Sequence, residues 1–285
     1  MFIIIGAVIV LASVIGGYLM EHGNLSVLVQ PAELVIIGGA ALGSLIIASP
    51  LKVIINIIKS ILKALTSKGY SKADYMDALI MLSEIFSKIR KEGLVSIEAD
   101  VDNPEESKIF SSHPKFLKNH HAVNLVTDTL RTVMTTSISS YELESILDNE
   151  LESHHEEGAA PAKSLNNVAD SLPGLGIVAA VLGVVLTMGK MKEPPEVLGH
   201  SIGAALVGTF LGVLLCYGFV APLSRNLDQV VNEDREYLTI LKVGLVSFIG
   251  GAAPQIAVEF ARRAIPGHAK PSFIEVEDTL RALKK

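Results

Sequence analysis

The chain of 285 residues contains no tryptophan, one cysteine and only 5% aromatic residues. A lone thiol, Cys216, excludes a framework of intrachain disulfides. The scarcity of aromatics makes the hydrophobicity aliphatic, carried by Ile, Leu, Val, Ala and Gly. Charge is also scarce: 19% of residues are Asp, Glu, Lys or Arg, against about 25% in a typical soluble domain. The 30 acidic residues outnumber the 24 basic ones, for a net charge of −6. That balance argues against nucleic acid as a default partner. What is abundant is apolar sequence, at 49% of the chain with a mean hydropathy of +0.45.

The apolar residues fall in four uncharged runs: Phe2 to Met20, Leu34 to Leu51, Ser171 to Gly189 and Ser201 to Ser224. As helices these would be roughly 27–36 Å long, matching a hydrocarbon core of about 30 Å. The composition therefore predicts a four-span membrane protein. The first run lacks a positive n-region and a small-residue cleavage site, so it is expected to be a retained helix. Orientation follows from Lys and Arg near the span ends. The Glu21–Glu33 connection has none, and Lys190–His200 has two. Lys52, Lys59, Lys63 and Lys68 follow the second run, and Arg225, Arg235 and Lys242 the fourth. Residues 51–170, the tail from 225, and both termini are thus expected on the cytoplasmic side.

Between the second and third runs the chain reads as a large helical insert. Lys52 to Leu65 is expected to continue the second span into the interface. Ser71 with Asp74 forms a capping-box pattern, and Leu79, Leu82, Ile85, Phe86 and Ile89 recur at helical spacing until Gly93. A linker with Asn103-Pro104 and His113-Pro114 precedes a helix expected over 116–136. Ser139 with Glu142 opens another, with Leu143, Ile146, Leu147 and Leu151 on one face. Its opposite face is acidic: Glu142, Glu144, Asp148, Glu152, Glu156 and Glu157. The tail continues as helix from Arg225, meets Gly250-Gly251 and Pro254, and ends in Pro271-Ser272-Phe273 and a short helix. No segment alternates as a strand does, so the fold class is an all-α integral membrane protein. Four domains follow: a first span pair (1–50), the helical insert (51–170), a second span pair (171–224) and the tail (225–285).

Chemistry-bearing motifs are absent. There is no phosphate loop, no metal-ligand spacing and no nucleophile–base–orienter set, so neither an enzyme nor a cofactor is expected. Gly174, Gly176 and Gly183 resemble a dinucleotide fingerprint only superficially, since no strand precedes them. The pairs His120-His121 and His154-His155 read as solvated surface. Gly39 and Gly43, Gly199 and Gly203, and Gly208 and Gly212 lie four apart, a spacing that lets helices approach closely in lipid. Whether they pack within one chain or between chains is open at this stage. The four runs hold hydroxyls (Ser44, Thr187, Ser201, Thr209, Tyr217) but no ionisable carboxylate, with Glu33 and Asp170 read at their ends. Ion pathways use such groups at membrane depth. If ions cross here, a partner must supply the titrating group.

Several stretches carry a resemblance: Gly16-Gly17-Tyr18-Leu19-Met20, Gln30-Pro31-Ala32-Glu33-Leu34-Val35-Ile36, Asp170-Ser171-Leu172-Pro173, Gly176-Ile177-Val178-Ala179-Ala180-Val181, Val207-Gly208-Thr209-Phe210-Leu211-Gly212, Ala257-Val258-Glu259-Phe260 and Pro271-Ser272-Phe273-Ile274-Glu275. In this order, with two spans, an insert, two spans and a tail, the chain resembles the MotA family of flagellar motor stator subunits. The resemblance implies a ring, expected to be pentameric, around the single-span partner MotB in the bacterial inner membrane. The aspartate of MotB accepts the proton, and the rotor protein FliG receives the torque. It implies that the third and fourth spans line the inside of the ring, and that the functional prolines fall on Pro173 and Pro222. Thr209 is then the hydroxyl facing the partner aspartate. Ala180 stands where sodium-type relatives, such as PomA, have a threonine, which implies protons rather than sodium. The rotor-facing charges fall on Arg90 and Glu98, with Glu150 as a weaker third. The nearest rival is an energiser of the TolQ or ExbB type, which typically has three spans. A secondary transporter would show an intramembrane charge or an inverted repeat, and neither is read here.

Overall fold

The structure, a computed structural model, describes residues 2–66 and 69–282. Lys68, one of the lysines used for orientation, lies outside the described residues. Among these residues the regular secondary structure is helical and no strand occurs. Four helical stretches are long and apolar enough to cross a membrane: Phe2–Met20, Leu25–Ala48, Ser140–Met188 and Pro195–Ile249. The longer helices are α1 (Phe2–Met20), α2 (Pro31–Ala48), α3 (Leu51–Thr66), α4 (Lys72–Glu92), α5 (His120–Thr135), α6 (Ser140–Met188), α7 (Pro195–Leu215), α8 (Ala221–Ile249), α9 (Pro254–Ala264) and α10 (Phe273–Ala282). The chain divides into two compact units, one of residues 1–67 and 158–230, the other of 68–157 and 231–285.

In the first unit, α1 is apolar all round and buries none of its residues, as expected of a helix whose surroundings are hydrocarbon. Pro31 occupies the first turn of α2, where a missing N–H costs nothing. The second span does not run on into the next helix. Ser49 is extended (φ −130°, ψ 135°) and Pro50 follows, so α3 is a separate helix. The residue before a proline is pushed out of the helical region, which is why the break falls there. α3 buries Ile57 and Ala64 against Ala162, Leu165 and Leu227, leaving its lysines on another face.

α6 departs further from expectation. It is one unbroken helix of 49 residues with Pro161 and Pro173 in its interior. Each proline removes a backbone donor and costs about 3 kcal/mol in an isolated helix. Packing of the neighbouring helices offsets that here. Close to Pro161, the Ser224 hydroxyl donates to the Ala162 carbonyl at 2.8 Å and ties α8 to α6. Between α7 and α8 the chain keeps winding, but as one wide π turn, Cys216–Val220, that begins at the buried Cys216. It ends just ahead of Pro222, and such bulges accompany prolines that disturb the hydrogen-bond ladder.

The second unit has a conventional core. α4 contributes Tyr75, Leu79, Leu82 and Phe86, α5 Leu125 and Leu130, α6 Leu143, Leu147 and Leu151, and α8 Leu241 and Leu245. The few aromatics concentrate here. Tyr70 stacks on Tyr237 with ring centroids 4.2 Å apart, and Phe86 on Phe248 at 4.3 Å. The capping box of Ser71 with Asp74 forms as read, as does the Ser139–Glu142 cap. α5 begins later than expected, at His120, because Asn119 caps it and accepts from the Ala122 N–H at 3.2 Å. The acidic face of α6 is not merely solvated. Lys242, only 8% exposed, reaches Asp148 at 2.6 Å, and Arg235 reaches Glu152 at 2.6 Å. Both cations come from α8, so opposite charges tie α6 to α8 within this unit.

Glu259 on α9 accepts from the Arg262 Nε at 2.7 Å and from the Arg263 Nε at 2.8 Å. Arg262 also donates to the Pro271 carbonyl at 3.0 Å, holding the approach to α10. The Arg262 hydrogen bond, reinforced by Arg263, holds the Glu259 carboxyl down to about 2. A carboxylate depressed in the folded state stabilises fully above its unfolded value near 4.5 and loses that effect as pH falls towards 2. Glu275, held near 2 by Lys72 and Ser272, titrates in the same window. Glu259→Gln is therefore expected to lower stability at pH 7 by about 1–3 kcal/mol and to flatten, without abolishing, the loss between pH 4.5 and 2. Thermal unfolding of the detergent-purified protein across that range measures both.

Candidate functional site

The third and fourth apolar runs, in α6 and α7, meet backbone to backbone. A methyl group added at Gly212 would lie 2.6 Å from the Leu172 carbonyl and 2.8 Å from the Gly176 Cα. One added at Gly176 would meet the Gly208 carbonyl at 2.7 Å, and one at Gly183 the Ala205 Cβ at 2.7 Å. The small residues thus form a seam of Leu172, Gly176 and Gly183 against Ala205, Gly208 and Gly212. For Gly208 and Gly212 this answers the question left open by the spacing: they pack within one chain. Gly39, Gly43 and Gly199 meet nothing within 4 Å.

The residues singled out from the sequence sit around this seam. Ala180 is buried, and its N lies 3.0 Å from where a Gly208 methyl would stand. Thr209 follows Gly208 and is half-buried. Ala180 and Thr209 therefore belong to one level of facing helices. Pro173 lies at the level of Gly212, since Leu172 beside it touches that glycine. It lies deep inside α6 rather than in a first turn, where a proline is ordinarily accommodated. Pro222 is exposed and stands just beyond the π turn. The outer face of α6 in this region, with Ile177, Val178, Val181, Leu182 and Val185, is exposed.

Glu33 stands at the end of its span, as the sequence implies, but its side chain is buried rather than solvated. Glu33 is in the first turn of α2, within the candidate span Leu25–Ala48, and is 7% exposed. The signal available was Pro31, which opens the helix two residues earlier. Asp170, the other end carboxylate, is exposed and accepts from the Asn166 side chain at 2.9 Å.

Arg90, Glu98 and Glu150 belong to the second unit, and all three are exposed. Arg90 sits in the last turn of α4. Gly93, with φ +87°, ends that helix in a conformation that favours glycine. A short 3-10 turn, Leu94–Ile97, follows, and Glu98 opens the helical turn Glu98–Asp102. Neighbouring charges are committed internally: Lys88 to Asp100 at 2.7 Å and Arg131 to Asp102 at 3.1 Å. Among the described residues no ion pair engages Arg90 or Glu98. No group of three His, Cys, Asp or Glu able to hold a metal occurs among them either. His121 and His154 meet ring edge to ring at 4.2 Å.

Two family models match this chain, Motility protein A N-terminal over residues 4–93 and the MotA/TolQ/ExbB proton channel family over residues 116–239. Motility protein A of Escherichia coli strain K12 is 44% identical over all of this chain and 96% of its own length. The protein of the same name from Salmonella typhimurium is 42% identical over the same shares. Chemotaxis protein LafT of Vibrio parahaemolyticus is 32% identical over 97% of each chain. Among solved structures, C. jejuni MotAB superposes with a TM-score of 0.76 at 18% identity, covering 93% of this chain and 95% of that one. The flagellar MotAB stator complex from Bacillus subtilis gives 0.74 at 22% identity over 98% of each. At those identities the likeness is one of fold.

The seam tolerates no side chain where backbone faces backbone. Gly212→Val is expected to separate α6 from α7 and to lower the thermal midpoint of the purified protein by at least several degrees. Gly39→Ala, with open space around it, is expected to leave that midpoint unchanged.

Proposed function

From the premise that this chain belongs to the motility protein A family, within the MotA/TolQ/ExbB proton channel family, we propose how its residues divide the work of a flagellar motor stator subunit. The chain is a multi-pass membrane protein whose family role is that of a channel subunit. Several copies, five in our reading, surround the single-span partner MotB in the bacterial inner membrane, with both termini cytoplasmic. The exposed apolar face of α6 beside a glycine-tight seam is the observation that carries this reading. A helix pair so closely joined on one side, and bare on the other, suits a ring that surrounds another apolar helix.

In this reading the partner's aspartate accepts the proton and the Thr209 hydroxyl faces it. Ala180 offers no oxygen to a dehydrating sodium ion, which favours protons. A proton moving through 100 mV releases about 2.3 kcal/mol, enough to bias one conformational step. Pro173 and Pro222 provide the compliance for that step, because each leaves a carbonyl of its helix without its usual donor. Arg90 and Glu98, with Glu150 in a lesser role, present unpaired charge of both signs to the rotor protein FliG. Opposite charges on the rotor would steer docking in a salt-sensitive way.

Co-expression with the partner is expected to yield a co-purifying complex, and swimming speed should fall when the proton gradient is collapsed. Speed that follows the sodium gradient instead would refute the proton assignment. Thr209→Val and Pro173→Ala are each expected to cut swimming speed at least tenfold at unchanged membrane levels. Combining Arg90→Glu with Glu98→Lys should reduce torque while leaving the complex intact. Normal motility in that double variant would end the rotor assignment.

A further inference from the structure

Glu33 is the one acidic side chain among the described residues that is buried, and its Oε2 has no hydrogen-bond partner. The carboxyl is lodged against α6 and α7. A methyl group at Gly208 would meet Oε2 at 2.6 Å, and one at Gly183 would stand 3.6 Å from Oε1. The two glycines therefore leave the slot that the carboxyl occupies. Ala179, Ala180 and Ala205 line its surroundings, and the nearby Thr187 hydroxyl is committed to the Gly183 carbonyl at 2.9 Å. No titratable side chain faces the slot from residues 171–189 of α6, from 201–215 of α7, or from the Leu25–Leu28 turn. The titratable groups that flank those stretches in sequence are His22, Asp170, Lys190, His200 and Cys216. An unpaired ionisable group enclosed among apolar helices is costly, and within membrane spans such groups are kept for ion or proton paths.

We propose that Glu33 is a proton-exchanging site of this chain's own, in series with the carboxylate that the partner supplies. A proton from water bonds to Oε2 of the carboxylate to give the neutral acid. That O–H bond then breaks as the proton passes inward, restoring the carboxylate with no net change of electrons. Oε2 lies against Gly208, one residue from Thr209, so the carboxyl and that hydroxyl would stand close together along α7. The inference rests on the reading that protons cross this unit.

The test uses the full chain co-expressed with its partner. Glu33→Gln keeps the volume of the side chain and cannot exchange the proton. It is expected to lower swimming speed at least tenfold, with the complex recovered at parental yield. One component of the protonated-carboxyl band should also be lost from infrared spectra that compare low with high pH. Glu33→Asp should restore part of the speed and shift the pH at which speed is half-maximal. If Glu33→Gln does not reach the membrane at parental levels, Glu33→Asp carries the test: a shifted pH profile supports the proposal and an unshifted one overturns it. A proton-driven parent with a normal Glu33→Gln variant overturns this inference alone. A parent driven by sodium overturns the proton reading as well.

Discussion

In hydrocarbon two helices gain nothing from hiding apolar side chains, because the lipid tails are equally apolar, so α6 and α7 must hold each other by close packing. Gly176, Gly208 and Gly212 let the two backbones touch. Each contact is small, about 0.1–0.2 kcal/mol per atom pair, but the seam runs from Leu172 to Gly183. The rest of the apolar unit takes its geometry from that seam. It fixes the level of Ala180 against Thr209, it leaves the slot for Glu33, and it turns the bulky Ile and Val side chains of α6 away from α7.

Irregular backbone is placed where the seam can tolerate it. Pro161 and Pro173 sit in α6 without ending it, and the π turn of Cys216–Val220 precedes Pro222. Each of these would weaken an isolated helix, and tertiary packing against neighbouring helices keeps the chain winding. The second unit works on other terms. Its core is rich in aromatics, and its long-range ties are ionic: Lys242 and Arg235 meet the acids of α6, and Glu259 binds two arginines. Charge in that unit is largely committed to holding it together. Arg90 and Glu98, like Lys91, Glu92, Glu105 and Glu106, take part in no such pair among the described residues.

Local signals were legible in the sequence. The four apolar runs, the Ser71–Asp74 and Ser139–Glu142 caps, the stop at Gly93 and the buried face of Leu143, Leu147 and Leu151 each depend on residues within a turn or two of one another. What escaped depends on distant partners. A proline reads as a helix end because its cost is local, whereas the packing that keeps α6 whole across Pro161 and Pro173 is not. The acids of α6 read as a solvated face because Lys242 and Arg235 come from a helix some ninety positions later. Glu33 reads as the last polar residue before a span. Only the facing glycines of two other helices show that it is enclosed. Conversely, Ser49-Pro50 was a legible break that the apolar run on either side concealed.

The burial of Cys216, at 2% exposure, has a practical consequence for chemical labelling. Thiol reagents act on accessible thiolates, and a thiol buried in apolar surroundings is inert to them. With no other cysteine in the chain, the native protein offers such reagents an almost blank background. A cysteine introduced at an exposed position, such as beside Arg90 on α4, would be the one reactive handle. A spectroscopic reporter can therefore be placed on a chosen helix without first removing the native thiol.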